Sequence, residues 1–144
     1  MIAVDTNILV FAHRSDSPWH VAAAPLIKRI AEGSESWAIA WPCVHEFISI
    51  ATHPKIYRPA STLRQALVQV EAWMASPRLQ MLAETSGYWS LLRRLTETRH
   101  IAGPQIHDAR IATLCLHHGI SELLTADRDF SRFPELKVRN PLVG

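Results

Sequence analysis

The chain is 144 residues long and 48% apolar, and its formal charge is only +2, from 15 Lys and Arg against 13 Asp and Glu. That length and composition fit one compact domain with a sizeable core, while the charge balance is too small to argue for a polyanionic partner by itself. No apolar run approaches the roughly 18 residues of a membrane span, and the first apolar stretch begins with no basic region or cleavage site ahead of it, so neither a signal peptide nor a membrane partner is expected.

In chain order, Ile2-Ala3-Val4-Asp5-Thr6-Asn7-Ile8-Leu9-Val10 reads as a buried strand that delivers Asp5 to its carboxyl end. Thr6 and Asn7 are cap candidates for a short helix over 8–14. Ser15-Asp16-Ser17-Pro18 supplies cap and turn chemistry for a helix over 20–32, which Gly33 ends. A second apolar strand spans 37–41, and Pro42 opens a helix that His53-Pro54 closes. After a loop over 55–60, Ser61 is expected to cap a helix over 62–75 whose stripe is Leu63, Leu67, Val70 and Met74.

Ser76-Pro77 breaks that helix, and 79–82 is a third strand. The helix over 88–98 turns Trp89, Leu92 and Leu95 inward and Arg93, Arg94 and Glu97 toward solvent. Another helix covers 105–118 with Gly119 as its stop, followed by strands at 123–125 and 137–138. Strands alternating with helix pairs predict the α/β class, with a central, mostly parallel sheet of four to five strands covered by helices on both faces. Residues 1–144 are expected to form a single unit without internal repeats. Cys43 and Cys115 lie in apolar helical patterns with no metal or redox spacing, so both read as buried free thiols of a cytoplasmic protein.

Most acids fall where charged surface belongs, but a few call for a closer reading. A carboxylate at the end of a buried strand is costly to desolvate unless a cation, a donor network or water answers it, which singles out Asp5. Asp108 shares a helical stripe with Ile111, Ala112 and Cys115, although a helix-start carboxylate satisfied by backbone donors would also account for it. Asp127 and Asp129 follow the strand-like Leu123-Leu124-Thr125, repeating the arrangement at Asp5. Asp127 is expected to point into the crevice and Asp129 to serve the turn, although spacing leaves open which of them is the fourth acid. Glu46 projects away from the Val44, Phe47, Ile48 and Ala51 stripe and joins the site if its helix borders the crevice.

Carboxylates brought together raise one another's pKa unless a cation is present, and hard divalent ions take such oxygen ligands. Thr6, Asn7 and Thr125 could supply hydroxyl and amide groups that order water around an ion. Arg110 and Arg128, beside the acids, are the better candidates among the arginines for meeting phosphates. Trp37, Trp41, Trp73 and Trp89 fall at core-like positions, whereas Tyr57 could stack on a base. Ile8, Leu9, Phe11, Val21, Leu26 and Ile27 either pack on the sheet or leave apolar surface for a partner.

Taken together, Val4-Asp5-Thr6-Asn7, Glu46, His107-Asp108-Ala109-Arg110-Ile111-Ala112 and Leu124-Thr125-Ala126-Asp127-Arg128-Asp129-Phe130 resemble the signatures of PIN-domain ribonucleases. More narrowly, the chain is similar to VapC-type toxins of bacterial toxin/antitoxin pairs over nearly its whole length, including Trp41-Pro42 and Thr52-His53-Pro54. The resemblance implies a PIN-like three-layer fold, with Asp5 and Asp108 as chief metal ligands and Glu46 and Asp127 completing the cluster. It also implies Mg2+-dependent endonucleolytic cleavage of RNA, with Mn2+ able to substitute, inhibition by a cognate VapB-like antitoxin, and a homodimer. The rivals are a DNA or structure-specific nuclease of related fold and a non-catalytic metal-binding module. A dehalogenase-like phosphatase is disfavoured because Asn7 stands where its second Asp belongs.

Overall fold

A computed structural model describes residues 1–143, and Gly144, the last residue of the expected unit, lies outside the described residues. The first strand, β1 (Ile2–Val4), runs directly into α1 (Thr6–His13), followed by α2 (His20–Glu32), β2 (Trp37–Ala40) and α3 (Trp41–Ala51). The remaining elements are α4 (Leu63–Met74), β3 (Leu79–Leu82), α5 (Tyr88–Thr98), α6 (Gln105–His117), β4 (Glu122–Leu124), a 3-10 turn (Arg128–Arg132) and β5 (Val138–Arg139). The strands form one five-stranded sheet in the order β3-β2-β1-β4-β5, and every pairing is parallel. Successive side chains of a strand point to opposite faces, and all four residues of β2 are buried, so helices cover both faces of the sheet.

The core forms where these layers meet. Trp37 and Ile39 from β2, Ile8 and Leu9 from α1, Phe47 from α3, and Ile111 and Leu114 from α6 are all essentially inaccessible. Val10 is buried as well, so α1 has three consecutive buried residues and is enclosed on several sides. That answers part of the question about the apolar residues of the first helices. Ile8, Leu9 and Ile27 pack inside and Phe11 and Leu26 are partly covered, while Val21 is 85% exposed.

Several expected faces and caps are corrected. On α4 the buried residues are Ala66, Val70 and Trp73, whereas Leu63, Leu67 and Met74 are exposed. Both stripes contain Val70 and keep helical spacing, and the bulky Trp73 takes the inward one, where it meets Phe47 edge-on at 4.7 Å between ring centroids. The α4 cap is Thr62, not Ser61: Gln65 N donates to Thr62 Oγ1 at 3.1 Å and Thr62 N to Gln65 Oε1 at 2.9 Å, a reciprocal capping box. On α5, Leu95 is buried and Leu92 partly covered as expected, but Tyr88 takes the inward place expected of Trp89, which is 68% exposed. Trp41 likewise lies at the surface, while Trp37 and Trp73 are core residues as expected.

The sheet register fixes the neighbourhood of Asp5. Val4 pairs with Leu124 across β1 and β4, so Asp5 and Thr125 emerge side by side at the carboxyl ends of adjacent strands. Asp5 N continues the ladder by donating to Leu124 O at 2.9 Å, and Thr125 N donates to Arg139 O at 3.0 Å. In an open parallel sheet this edge is where a ligand crevice forms. Among the described residues, no helix is long and apolar enough to cross a membrane.

Candidate active site

Asp5 is only 4% exposed and serves as the N-cap residue of α1, the position that Thr6 and Asn7 were expected to fill. Its oxygens are answered by three elements. Thr6 N donates to Oδ1 at 2.8 Å, Thr125 Oγ1 donates to Oδ2 at 2.7 Å, and the Cys43 thiol on α3 approaches Oδ1 at 3.5 Å. Burial still pushes the Asp5 carboxyl above its ordinary value. Thr125, Thr6 and Cys43 pull it back, and the Glu46 charge adds to the rise. Burial also drives the Cys43 thiol well upward and Cys115 up to about 12, so both cysteines stay protonated; Cys43 can therefore act as a donor.

Thr6, Asn7 and Thr125 bind protein rather than standing open to order water. Thr6 Oγ1 donates to Glu46 Oε2 at 2.8 Å, which draws Glu46 out of its surface role and toward the crevice. Asn7 Nδ2 donates to Thr125 Oγ1 at 3.2 Å and Asn7 Oδ1 accepts from Ala126 N at 3.1 Å, so Asn7 clamps the start of the loop after β4. Thr125 Oγ1 also accepts from Asp127 N at 3.0 Å. One hydroxyl thus connects Asp5, Asn7 and the acidic turn.

Asp108 sits in the first turn of α6, where the positive helix end favours a carboxylate. Oxygens of Asp108, Asp127 and Asp129 all lie within 4.8 Å of one another. Asp5 and Glu46 are outside that tight group. Even so, burial first, and then the charges of Asp127, Asp129, Asp5 and Glu46, push the Asp108 carboxyl from its ordinary 3.8 to about 6. Asp127 Oδ1 accepts from Asp129 N at 2.8 Å, so Asp127 is the residue that makes the turn, the task expected of Asp129. Asp129 carries the more exposed carboxylate of the two.

An all-oxygen group in which burial, and then the neighbouring acids, raise one member to about 6 fits a hard divalent cation, because a dication offsets both the lost hydration and the repulsion. Arg110 on α6 approaches Glu46 at 3.8 Å, and Arg128 stands in the acidic turn between Asp127 and Asp129. Tyr57, the other candidate for a substrate contact, lies elsewhere. Arg14 is held by Asp16 at 2.6 Å and covers the Tyr57 ring at 4.5 Å, beside a groove of about 570 Å³ between α1 and α4. Tyr57 is therefore already stacked, and no proposed acid borders that groove.

Comparisons with known proteins bear on the family and the fold. A family model described as "PIN domain" matches residues 2–136. Ribonuclease VapC43 of Mycobacterium tuberculosis is 31% identical over 144 residues, covering 100% of this chain and 97% of the relative. Ribonuclease VapC48 of the same species is 29% identical over 140 residues, 97% of each chain. Among solved structures, VapBC-1 from nontypeable Haemophilus influenzae superposes with a TM-score of 0.68 at 16% identity, covering 99% of this chain and 100% of that one. VapBC2 from Rickettsia felis, solved with a DNA fragment from its promoter, gives 0.66 at 21% identity, covering 97% and 98%. At those identities the structural likeness carries the fold alone.

Proposed function

The chain belongs to the PIN-domain family and, within it, to the VapC-type ribonucleases, and on that premise we propose that it is a Mg2+-dependent endoribonuclease, the toxin of a type II toxin/antitoxin pair. The observation that carries this reading is the convergence of acids beyond the carboxyl edge of β1 and β4, where oxygens of Asp108, Asp127 and Asp129 lie within 4.8 Å of one another. In this reading Asp5, Glu46, Asp108 and Asp127 would hold the ion, with Asp129 close enough to assist. Mg2+ suits a site of oxygen donors alone, and Mn2+ can replace it. A bound dication would let the crowded carboxylates remain ionised and would lower the pKa of water toward neutrality.

The chain's own residues have separable tasks. Thr125, Thr6 and Cys43 fix the orientation of Asp5 before any ligand arrives, which preorganises one corner of the site. Thr6 sets Glu46 at the rim, and Asn7 holds the loop that carries Asp127. Arg110 and Arg128 supply positive charge next to the acids, as an RNA strand entering an acidic crevice requires. Addition of water at phosphorus breaks the bond to the 3′-oxygen, which takes up the proton, and leaves a 5′-phosphate and a 3′-hydroxyl.

Cleavage of an RNA panel, with DNA as competitor, tests the reading in Mg2+ and in EDTA. Wild type is expected to cut RNA only with the metal, while Asp5→Ala and Asp108→Ala are inactive. Full activity of both variants would end the proposal, and preferential cutting of DNA would favour the rival nuclease. We further propose a VapB-like antitoxin as partner, a reading supported by the VapBC complexes that share this fold. A small protein that co-purifies with the chain from its native host and suppresses cleavage is the expected result.

A further inference from the structure

Sheet order lays the crevice out along one edge. The acids stand at the ends of β1 and β4, and the next positions on one side are the carboxyl ends of β2 and β3. A separate cleft of about 290 Å³ opens there, lined by Trp41, His45, Leu82, Glu84, Arg110 and Leu114, among others. Adjacent strands are about 4.8 Å apart, so this cleft begins roughly 5–10 Å from the axis carrying Asp5. That is within reach of a base whose own phosphate lies at the acids.

Trp41 is the first residue of α3 and remains 38% exposed, although burial would remove a large apolar surface from water. His45, one helical turn on, holds its ring 6.4 Å from the indole at an interplanar angle of 30°, which leaves the two rings tilted rather than closed on each other. Arg110 links the cleft to the acids: it borders the cleft and reaches Glu46 at 3.8 Å, too long for a locked ion pair. Its Nε is buried with no hydrogen-bond partner, so no hydrogen bond at that nitrogen orients the guanidinium. Glu84 at the cleft would repel a phosphate, so a strand seated here places a base in the cleft and its phosphate on the Arg110 side.

We propose that Trp41, His45 and Arg110 form a nucleobase subsite beside the acidic crevice, in which an unpaired base of the RNA lies against the Trp41 indole while Arg110 answers the adjoining phosphate. This rests on the ribonuclease reading above and adds the element that chooses where the strand is cut. Aromatic stacking accepts any base face, so the subsite selects single-stranded over paired RNA more strongly than it selects sequence.

The test has two arms. In EDTA and low salt, where cleavage does not compete, anisotropy compares the unmutated protein's binding to a single-stranded oligoribonucleotide and to the same strand with successive single abasic positions. One abasic position is expected to weaken binding about tenfold, and Trp41→Ala is expected to remove that difference, with Trp41→Phe retaining most of it. In Mg2+, Trp41→Ala is expected to raise KM about tenfold with kcat within about twofold, and sequencing of product ends is expected to show a relaxed preference for unpaired sites. Equal binding of intact and abasic strands by the unmutated protein would overturn the subsite without any variant having to fold. Trp41→Ala that leaves RNA binding unchanged but alters the mass measured by light scattering would also overturn it, making Trp41 a protein contact. Base-dependent binding through Trp41 without cleavage by wild type would keep the subsite and remove the nuclease reading instead.

Discussion

Asp5 and Asp129 are aspartates at the same edge of one sheet, yet their surroundings differ. Asp5 is buried and receives donors from α1, α3 and the end of β4. Asp129 is exposed, with Arg132 at 3.9 Å, and it crowds Asp108 and Asp127. The contrast separates the part of the site that folding completes from the part that needs a ligand. The Asp5 corner is met by protein donors that offset part of the cost of its burial, whereas the Asp108, Asp127 and Asp129 corner holds charge that a cation would relieve.

The largest expected effect is at the completed corner. Asp5→Ala should lower cleavage by more than roughly 100-fold, the upper end for loss of a merely supporting partner. It should also cost about 1–3 kcal/mol in urea unfolding, because Thr125 and Thr6 lose their buried acceptor. Asp129→Ala should stay within about 0.5 kcal/mol of wild type. Equal destabilisation by the two variants would break the contrast.

Thr125→Val comes next. It removes the donor to Asp5 and the acceptor of both Asn7 and Asp127, so initial rates should fall about 10–100-fold while the fold survives. Asp127→Asn keeps an oxygen for the Asp129 amide while removing a charge, and so tests metal holding apart from turn formation. A loss of about tenfold in metal affinity is expected, larger than for Asp129→Asn, by titration with Mn2+. The reverse order would make Asp129 the fourth acid.

The smallest effect is the pH dependence of the metal-free protein. Asp108 has a folded pKa of about 6, above its ordinary 3.8, so the folded state binds the proton more tightly. The stability linked to that proton is fully present below 3.8 and is lost as pH rises through about 6. Asp108→Asn should therefore stabilise the metal-free chain by about 1 kcal/mol at neutral pH, a figure discounted because the group is partly open to water. The gain should vanish at acidic pH, as read by denaturant midpoints.

The element order and the strand-end positions of Asp5 and Asp127 were legible in the sequence, because apolar periodicity and an acid just after an apolar strand are local signals. Helix faces were less so. On α4 the stripe through Leu63, Leu67 and Met74 and the one through Ala66 and Trp73 share Val70, and only packing against Phe47 selects between them. On α5 the inward stripe through Leu92 and Leu95 starts equally well at i−4, Tyr88, or at i−3, Trp89, and the fold takes Tyr88. The support of Asp5 was not legible, because the hydroxyl that answers it comes from Thr125 and the thiol from Cys43. A turn shared by two aspartates likewise gives no sequence signal for which one bends to the backbone, and here Asp127 does.

The chemistry of the RNA ends produced by the purified chain, followed across a Mg2+ titration with an EDTA control, tests the central claim most directly. The account predicts no cutting in EDTA, a saturable rise with Mg2+, and products bearing 5′-phosphate and 3′-hydroxyl ends. Cutting at an undiminished rate in EDTA, or products ending in a 2′,3′-cyclic phosphate, would contradict it.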